Sequence, residues 1–162
     1  YTVGLNKKDL ILPSDKEINL LYVDRGGKIT YNGPGQLIIY TMINTKKNSI
    51  NIRQIVSILE ESVIYFLNSL KIQSFAKKDA PGVYIDGKKI ASVGLRLKDN
   101  FTYHGLSLNI NMDLSPFENI NPCGYENLTM TQLSDFNTEY NLERCAYDIV
   151  NFIKNNLKEP HE

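Results

Sequence analysis

The stretch Val83-Tyr84-Ile85-Asp86-Gly87-Lys88-Lys89-Ile90-Ala91-Ser92-Val93-Gly94-Leu95-Arg96-Leu97-Lys98-Asp99-Asn100-Phe101-Thr102-Tyr103-His104-Gly105-Leu106-Ser107-Leu108-Asn109-Ile110 decides the fold. Asp86-Gly87 reads as a tight hairpin turn between the β-prone runs Val83 to Ile85 and Lys89 to Leu97. Asp99-Asn100 is a second turn before Phe101 to Ile110. Two turns joining three strands make an antiparallel meander. A sheet of this kind has an apolar face to bury, and the flanking segments supply the cover.

Upstream, Ile72 to Ala76 reads as a further strand. Before it, Ile52, Ile55, Val56, Leu59, Val63, Phe66, Leu67 and Leu70 recur at three-to-four-residue spacing. Arg53, Glu60, Glu61 and Asn68 fall opposite, so the periodicity predicts an amphipathic helix over Asn48 to Leu70. Towards the amino terminus, Leu10 to Leu12, Ile18 to Val23 and Leu37 to Ile43 read as strands, separated by Pro13-Ser14-Asp15 and Gly33-Pro34-Gly35. Downstream, Asp113-Leu114-Ser115-Pro116 predicts a short helix, and Asn121-Pro122-Cys123-Gly124-Tyr125 a loop. A second helix over Thr138 to Leu157 is expected, capped by Asn137 or Thr138, with Leu142, Cys145, Ile149, Phe152 and Ile153 on one face. Residues 1 to 162 thus form a single α+β domain, with helices covering one face of a mainly antiparallel sheet.

Composition narrows the function classes. The chain has 162 residues, 42% hydrophobic and 22% charged, enough for one compact domain. No window approaches the roughly 18 uncharged apolar residues of a membrane-spanning helix. Eighteen basic residues balance 18 acidic ones, so no overall field draws the protein to nucleic acid or an anionic membrane. Two cysteines do not make a disulfide framework, and neither has a zinc-ligand spacing, so a reducing compartment and no metal are expected. The chain opens on Tyr1 rather than Met, so a trimmed or mature fragment is expected. Asn and Ile occur 18 times each and Lys 14 times against 4 Arg, a bias of coding rather than of chemistry.

Three segments are candidates for chemistry. Arg25-Gly26-Gly27-Lys28-Ile29-Thr30-Tyr31-Asn32-Gly33-Pro34-Gly35-Gln36 carries four of the ten glycines. Glycines let backbone approach a ligand, whose carbonyl or carboxylate could sit on exposed N–H groups beside the Arg25 cation. Two consecutive β-turns account for the same composition, and neither nucleotide-binding glycine motif is matched. Cys123 sits between Pro122 and Gly124, a setting that can project a thiol, whereas Cys145 falls on an apolar helical stripe and reads as core. A nucleophilic thiol needs a cation or base beside it. His161 lies in a polar tail, and His104 reads as a satisfied structural histidine within a strand. Lys89 is the other candidate, since small residues follow it; taken alone it is an ordinary solvated hairpin lysine.

Five blocks, in this order and at about this spacing, resemble the lipoyl(octanoyl) transferase family: Arg25 to Gln36, Asp79-Ala-Pro-Gly-Val-Tyr84, Lys89-Ile-Ala-Ser-Val-Gly-Leu-Arg96, His104-Gly-Leu-Ser-Leu-Asn109 and Asn121-Pro-Cys-Gly-Tyr125. The resemblance implies a fold shared with the catalytic domains of biotin and lipoate protein ligases. It implies transfer of an octanoyl group from octanoyl-acyl carrier protein to Cys123, then to the ε-amine of a lysine on a lipoyl domain. The implied acceptors are lipoyl domains of the E2 subunits of 2-oxoacid dehydrogenases and of the glycine cleavage H protein. Lys89 matches the family lysine that lowers the cysteine's pKa. Arg25, Gly26, Gly27, Lys28, Ile29, Thr30, Tyr31 and Asn32 match substrate-binding positions, as do Ser92, Val93, Gly94, Gly105, Leu106 and Ser107. No cofactor or metal is implied, and a monomer is expected.

Two departures from the family stand out. Asn32 occupies a position where the family usually has His, and Asn cannot titrate. Family members also carry a further strand and helix before the segment matching Tyr1, so the chain is expected to lack them. The compartment follows the source: cytoplasm in a bacterium, mitochondrion or plastid in a eukaryote. An ATP-dependent lipoate or biotin protein ligase is the rival enzyme, against which Cys123 argues, because adenylate chemistry needs no thiol. A cysteine-dependent octanoyl amidotransferase would take its cysteine from elsewhere in the chain. A non-catalytic module docking lipoyl domains or carrier protein is the third reading, opposed by Cys123 together with Lys89. The lysine pairs Lys46-Lys47, Lys77-Lys78 and Lys88-Lys89 lack a groove-reading motif and are instead a candidate docking surface for an acidic carrier protein.

Overall fold

The computed structural model describes residues 1–8, 10–14, 16–120, 128–136 and 139–157. In chain order its elements are β1 (Thr2–Val3), β2 (Leu21–Tyr22), β3 (Ile29–Thr30), β4 (Gln36–Tyr40), α1 (Ile52–Ser69), β5 (Phe75–Ala76), β6 (Gly82–Ile85), β7 (Lys88–Lys98), β8 (Phe101–Asn109) and α2 (Leu142–Asn156). The main sheet grows from the two expected turns. Asp86 and Gly87 have φ of 47° and 82°, and Asp99 and Asn100 have 49° and 67°, the left-handed pairs of type I′ hairpins. Asp, Asn and Gly reach this region at low cost, which is why these residues stand there.

The sheet order is β4-β8-β7-β6-β5, antiparallel throughout. A second, small sheet places β1 between β2, to which it is parallel, and β3, to which it is antiparallel. The fold is therefore α+β with a mixed, mainly antiparallel set of strands. Gly105 on β8 faces Tyr40 on β4, and a Cβ there would collide with the Ile39 carbonyl.

Asn51 starts α1. Its side chain accepts from the Gln54 N–H while Gln54 accepts from the Asn51 N–H, a reciprocal capping box. The helix ends in a Schellman motif: the Ile72 N–H bonds to Leu67 O and the Lys71 N–H to Asn68 O, with Lys71 at φ 62° in the position usually taken by glycine. Ile55, Leu59, Val63, Phe66 and Leu67 are buried against Ile90, Leu106, Leu108, Leu133 and Ile149. Both helices cover the same face of the main sheet. Cys145 lies in this core, and burial pushes its thiol pKa up. A second core beneath the small sheet holds Tyr1, Val3, Ile29, Tyr31, Met112, Phe117, Ile120 and Met130.

Several expected boundaries move. Leu10 to Leu12 form no strand, and Ile11 and Leu12 are exposed. Ile18 to Val23 contract to Leu21–Tyr22 and Leu37 to Ile43 to Gln36–Tyr40. Ile72 is taken by the helix cap, so β5 begins at Phe75. The second helix starts at Leu142, capped by Asn141, with Asn137 and Thr138 outside the described residues. The expected short helix is a 3-10 turn over Ser115–Asn119 with Pro116 in its first turn. Glu60, which the periodicity assigns to the solvated face, is buried at 8% exposure.

Two substitutions test this account. Asn51→Ala should cost about 1 kcal/mol in urea unfolding, the usual effect of losing an N-cap; an unchanged midpoint would show that the cap contributes nothing here. Gly105→Ala should cost about 1–3 kcal/mol by overpacking and speed amide exchange in β4, whereas protected β4 amides would contradict the close approach.

Candidate active site

Small side chains on the face of the sheet away from the helices leave a cavity. Cross-strand register lines up Ser92, Ser107 and Ile38 in one row, and Gly94, Gly105 and Tyr40 in the next. Above these rows lie β3 and the run from Arg25 to Lys28, and together they enclose about 340 Å³, the lower end of the range for small-molecule sites. Apolar side chains at its edge come from Val23, Ile38 and Tyr40, while Ile29, Val93 and Leu106 border it with backbone and turn their side chains into the two cores.

The glycines of the Arg25 run make the roof possible. Gly26 donates its N–H to Leu95 O at 2.9 Å, and a Cβ on Gly26 would sit 2.9 Å from that same oxygen. From the sheet side, a Cβ on Gly94 would sit 3.1 Å from Gly26 O. Backbone thus lies on backbone where the loop crosses β7. Arg25 ties the roof to the small sheet: its guanidinium donates to Thr2 O, to the Thr2 hydroxyl and to Gly26 O. The expected cation beside a ligand carboxylate is here a cation that also stitches loop to strand.

A β-bulge turns Lys89 towards the cavity. Val83 pairs with Ala91 but Tyr84 pairs with Lys89, so β7 carries Ile90 as an extra residue. Ile90 and Ala91 both enter the helix-side core, and Lys89 joins Ser92 and Gly94 along the cavity, the re-aiming that bulges produce beside functional sites. Lys89 is wholly buried, not a solvated hairpin residue. Its Nζ donates to Pro81 O at 2.9 Å and lies 5.4 Å from the Tyr84 ring centroid. Its backbone bonds on both sides of Met130, accepting from Thr131 N–H and donating to Thr129 O.

The residues expected in the site are mostly brought together. Arg25, Gly26, Gly27, Lys28, Ile29, Thr30 and Asn32 border the cavity from above, and Lys89, Ser92, Val93, Gly94, Gly105, Leu106 and Ser107 from the sheet. Tyr31 is not among them. Alternation along the strand sends its ring into the second core, 5.8 Å from Tyr1 and 5.5 Å from Phe117 between centroids, where burial raises its pKa. Cys123 lies outside the described residues. Asn32 begins a chain of amides: it donates to Gln36, Gln36 donates to Asn109, and Asn109 donates to Thr131 O.

Thr2, Val23, Ile38 and Tyr40, which escaped the sequence reading, also line the cavity, as does His104, which the sequence presents as a structural histidine. The even-numbered alternation of Ile38 and Tyr40 against Leu37 and Ile39 was the available signal for two of them. His104 adopts φ 64° inside β8, an unusual conformation for a strand residue. Its Nε2 lies 2.9 Å from Asp24 Oδ1, and the Tyr103 hydroxyl donates to the other Asp24 oxygen. These two bonds hold the Asp24 carboxyl below the usual carboxylate range. Among the described residues no cluster of His, Cys, Asp and Glu could hold a metal ion, and no helix is long and apolar enough to cross a membrane.

Comparison with known proteins gives one family. Residues 1–153 match the model of the lipoyl protein ligase A/B catalytic domain. An octanoyltransferase of Buchnera aphidicola is 47% identical over 93% of this chain and 71% of its own length. One from Neisseria meningitidis serogroup C is 52% identical over 84% and 66%, and one from Colwellia psychrerythraea is 47% identical over 92% and 63%. Among solved structures, a putative lipoate protein ligase from T. acidophilum with bound lipoic acid superimposes with a TM-score of 0.69 at 12% identity, over 96% of this chain and 68% of that one. The biotin protein ligase of Aquifex aeolicus gives 0.61 at 22% identity, over 76% and 53%. These structural likenesses establish the biotin and lipoate ligase fold. The chain spans about two thirds of the length of the relatives it matches, and by its sequence it belongs to the lipoyl protein ligase A/B catalytic domain family, as a member of the octanoyltransferases.

Proposed function

We propose that this chain transfers an octanoyl group from octanoyl-acyl carrier protein to Cys123, and from Cys123 to a lysine of a lipoyl domain. The observation that carries this reading is Lys89: an ammonium buried beside a cavity floored by small residues. A cation taken out of water is costly unless something uses and compensates it, and a thiolate nucleophile is such a use.

The chemistry balances without further reactants. The Cys123 thiolate attacks the carrier thioester, the bond from the acyl carbon to the carrier sulfur breaks, and the Lys89 ammonium supplies the proton taken by the leaving thiolate. The amine of the acceptor lysine then attacks the Cys123 thioester. A C–N bond forms, the C–S bond breaks to restore the thiolate, and the amine's proton returns to Lys89. Thioester exchange is nearly isoenergetic and amide formation runs downhill, so the transfer draws on no nucleotide.

The alkyl chain would lie over the rows of Ser92, Ser107 and Ile38 and of Gly94, Gly105 and Tyr40, against Val23. Each methylene buried there contributes roughly 0.8 kcal/mol, so the depth of the cavity selects chain length. Carrier protein and lipoyl domain are the donor and acceptor in this reading. An acidic carrier would meet the exposed lysines Lys77, Lys78 and Lys88, and its affinity would fall with salt.

Intact-protein mass spectrometry with octanoyl-acyl carrier protein is the direct test. A hydroxylamine-labile octanoyl adduct should form on the parent chain without ATP, be absent from Cys123→Ser, and form about 10²-fold or more slowly in Lys89→Ala, the usual weight of a proton-transfer group. An adduct surviving in Cys123→Ser, or transfer that requires ATP, would replace this reading with a ligase. Ser107→Leu should raise the cavity floor and lower kcat/KM for octanoyl relative to butyryl about tenfold, the effect of displacing two methylenes at roughly 0.8 kcal/mol each; an unchanged ratio would place the acyl chain elsewhere.

A further inference from the structure

The peptide joining Pro81 to Gly82 has a charged partner on each side. Its carbonyl accepts from Lys89 Nζ at 2.9 Å, and its N–H donates to Glu60 Oε1 at 2.7 Å. A peptide unit is planar and its C=O and N–H point in opposite directions, so fixing one fixes the other. Glu60 projects from α1 yet is buried, on a helix whose neighbouring face is apolar. Gly82 has φ 138°, and a Cβ on it would stand 2.5 Å from Lys89 Cε and 3.1 Å from Nζ. The peptide thus lies directly against the lysine, with no side chain between.

We infer that Glu60 is a positioning residue for the acyl transfer: it clamps the Gly82 N–H and so presents the Pro81 carbonyl as the anchor of the Lys89 ammonium. The inference rests on the role proposed above for Lys89 and extends it to a residue on another element. A hydrogen bond from the N–H to a carboxylate polarises the peptide and makes its carbonyl a stronger acceptor. Burial raises the Glu60 pKa, while the Gly82 N–H and the Lys89 cation pull it down and the neighbouring Glu61 adds to the rise. The Tyr84 ring beside Lys89 also carries Lys77, whose Nζ is 4.3 Å from its centroid.

The test compares Glu60→Met, Glu60→Gln and Lys89→Ala with the parent chain by the pH dependence of iodoacetamide alkylation at Cys123, together with thermal unfolding. Lys89→Ala should move the alkylation inflection upward by about one unit or more. Glu60→Met, which keeps the volume and loses the acceptor, should move it by about half to one unit, a three- to tenfold loss of thiolate below the inflection. Glu60→Gln retains an oxygen for the Gly82 N–H and should recover most of the parent profile. An unmoved inflection in Lys89→Ala would sink the reading of Lys89 itself. A shift in Lys89→Ala without one in Glu60→Met would overturn the role of Glu60 alone, even if the melting temperature fell. Should Glu60→Met fail to fold, the Gly82 amide proton decides: its resonance should be displaced in Lys89→Ala, and an unchanged resonance overturns the inference.

Discussion

An ammonium held out of water constrains the centre of this fold. Lys89 has no exposed surface, and a cation in that position must find acceptors and counter-charge or lose its charge. Among the described residues, backbone and a carboxylate contribute to meeting the requirement: the Pro81 carbonyl at the lysine, and Glu60 behind the same peptide. The backbone of Lys89 meanwhile binds the segment around Met130. One residue therefore joins three distant parts of the sequence, namely helix α1, the turn before β6 and the segment around Met130.

The bulge at Ile90 is the local device that makes this possible. Side chains alternate along a strand, so without an extra residue Lys89 would share the helix-side face with Ala91 and Leu95. With it, the apolar core keeps Ile90 and Ala91 while the lysine turns to the cavity. Small residues in the next two rows then hold the floor open. A sheet with Ser and Gly at its centre packs weakly on that face, and the opposite face compensates through two helices with closely packed Leu, Ile and Val.

The roof depends on close approach. Gly26 and Gly94 bring two backbones together where side chains would hold them apart, and Arg25 binds that crossing to β1. The small sheet has short strands and would be marginal alone; its second core of Tyr1, Tyr31, Phe117 and Met130 steadies it. Tyr31 thereby serves the roof from behind, and the cavity receives its neighbours Thr30 and Asn32 instead.

Much of this was legible from residue order. Asp86-Gly87 and Asp99-Asn100 specify type I′ turns through their tolerance of positive φ, so the meander and its register follow from local chemistry. The three-to-four-residue spacing from Ile52 to Leu70 settles α1, and five ordered motifs point to the family and to most of the residues that line the cavity. Other features had no local signature. Leu10 to Leu12 look like a strand but pair with no strand among the described residues, and pairing is a matter of neighbours in space. Glu60 reads as a surface residue because helical periodicity knows only the average face, whereas its burial depends on the Pro81–Gly82 peptide arriving from 22 residues away. Lys89 reads as a solvated hairpin lysine for the same reason. The sequence by itself determined the turns, the helices and the inventory of reactive groups, since these depend on φ preferences and periodicity. Only the tertiary structure decided which charges lose water and face one another, because desolvation and electrostatic coupling are set by packing between segments far apart in the chain.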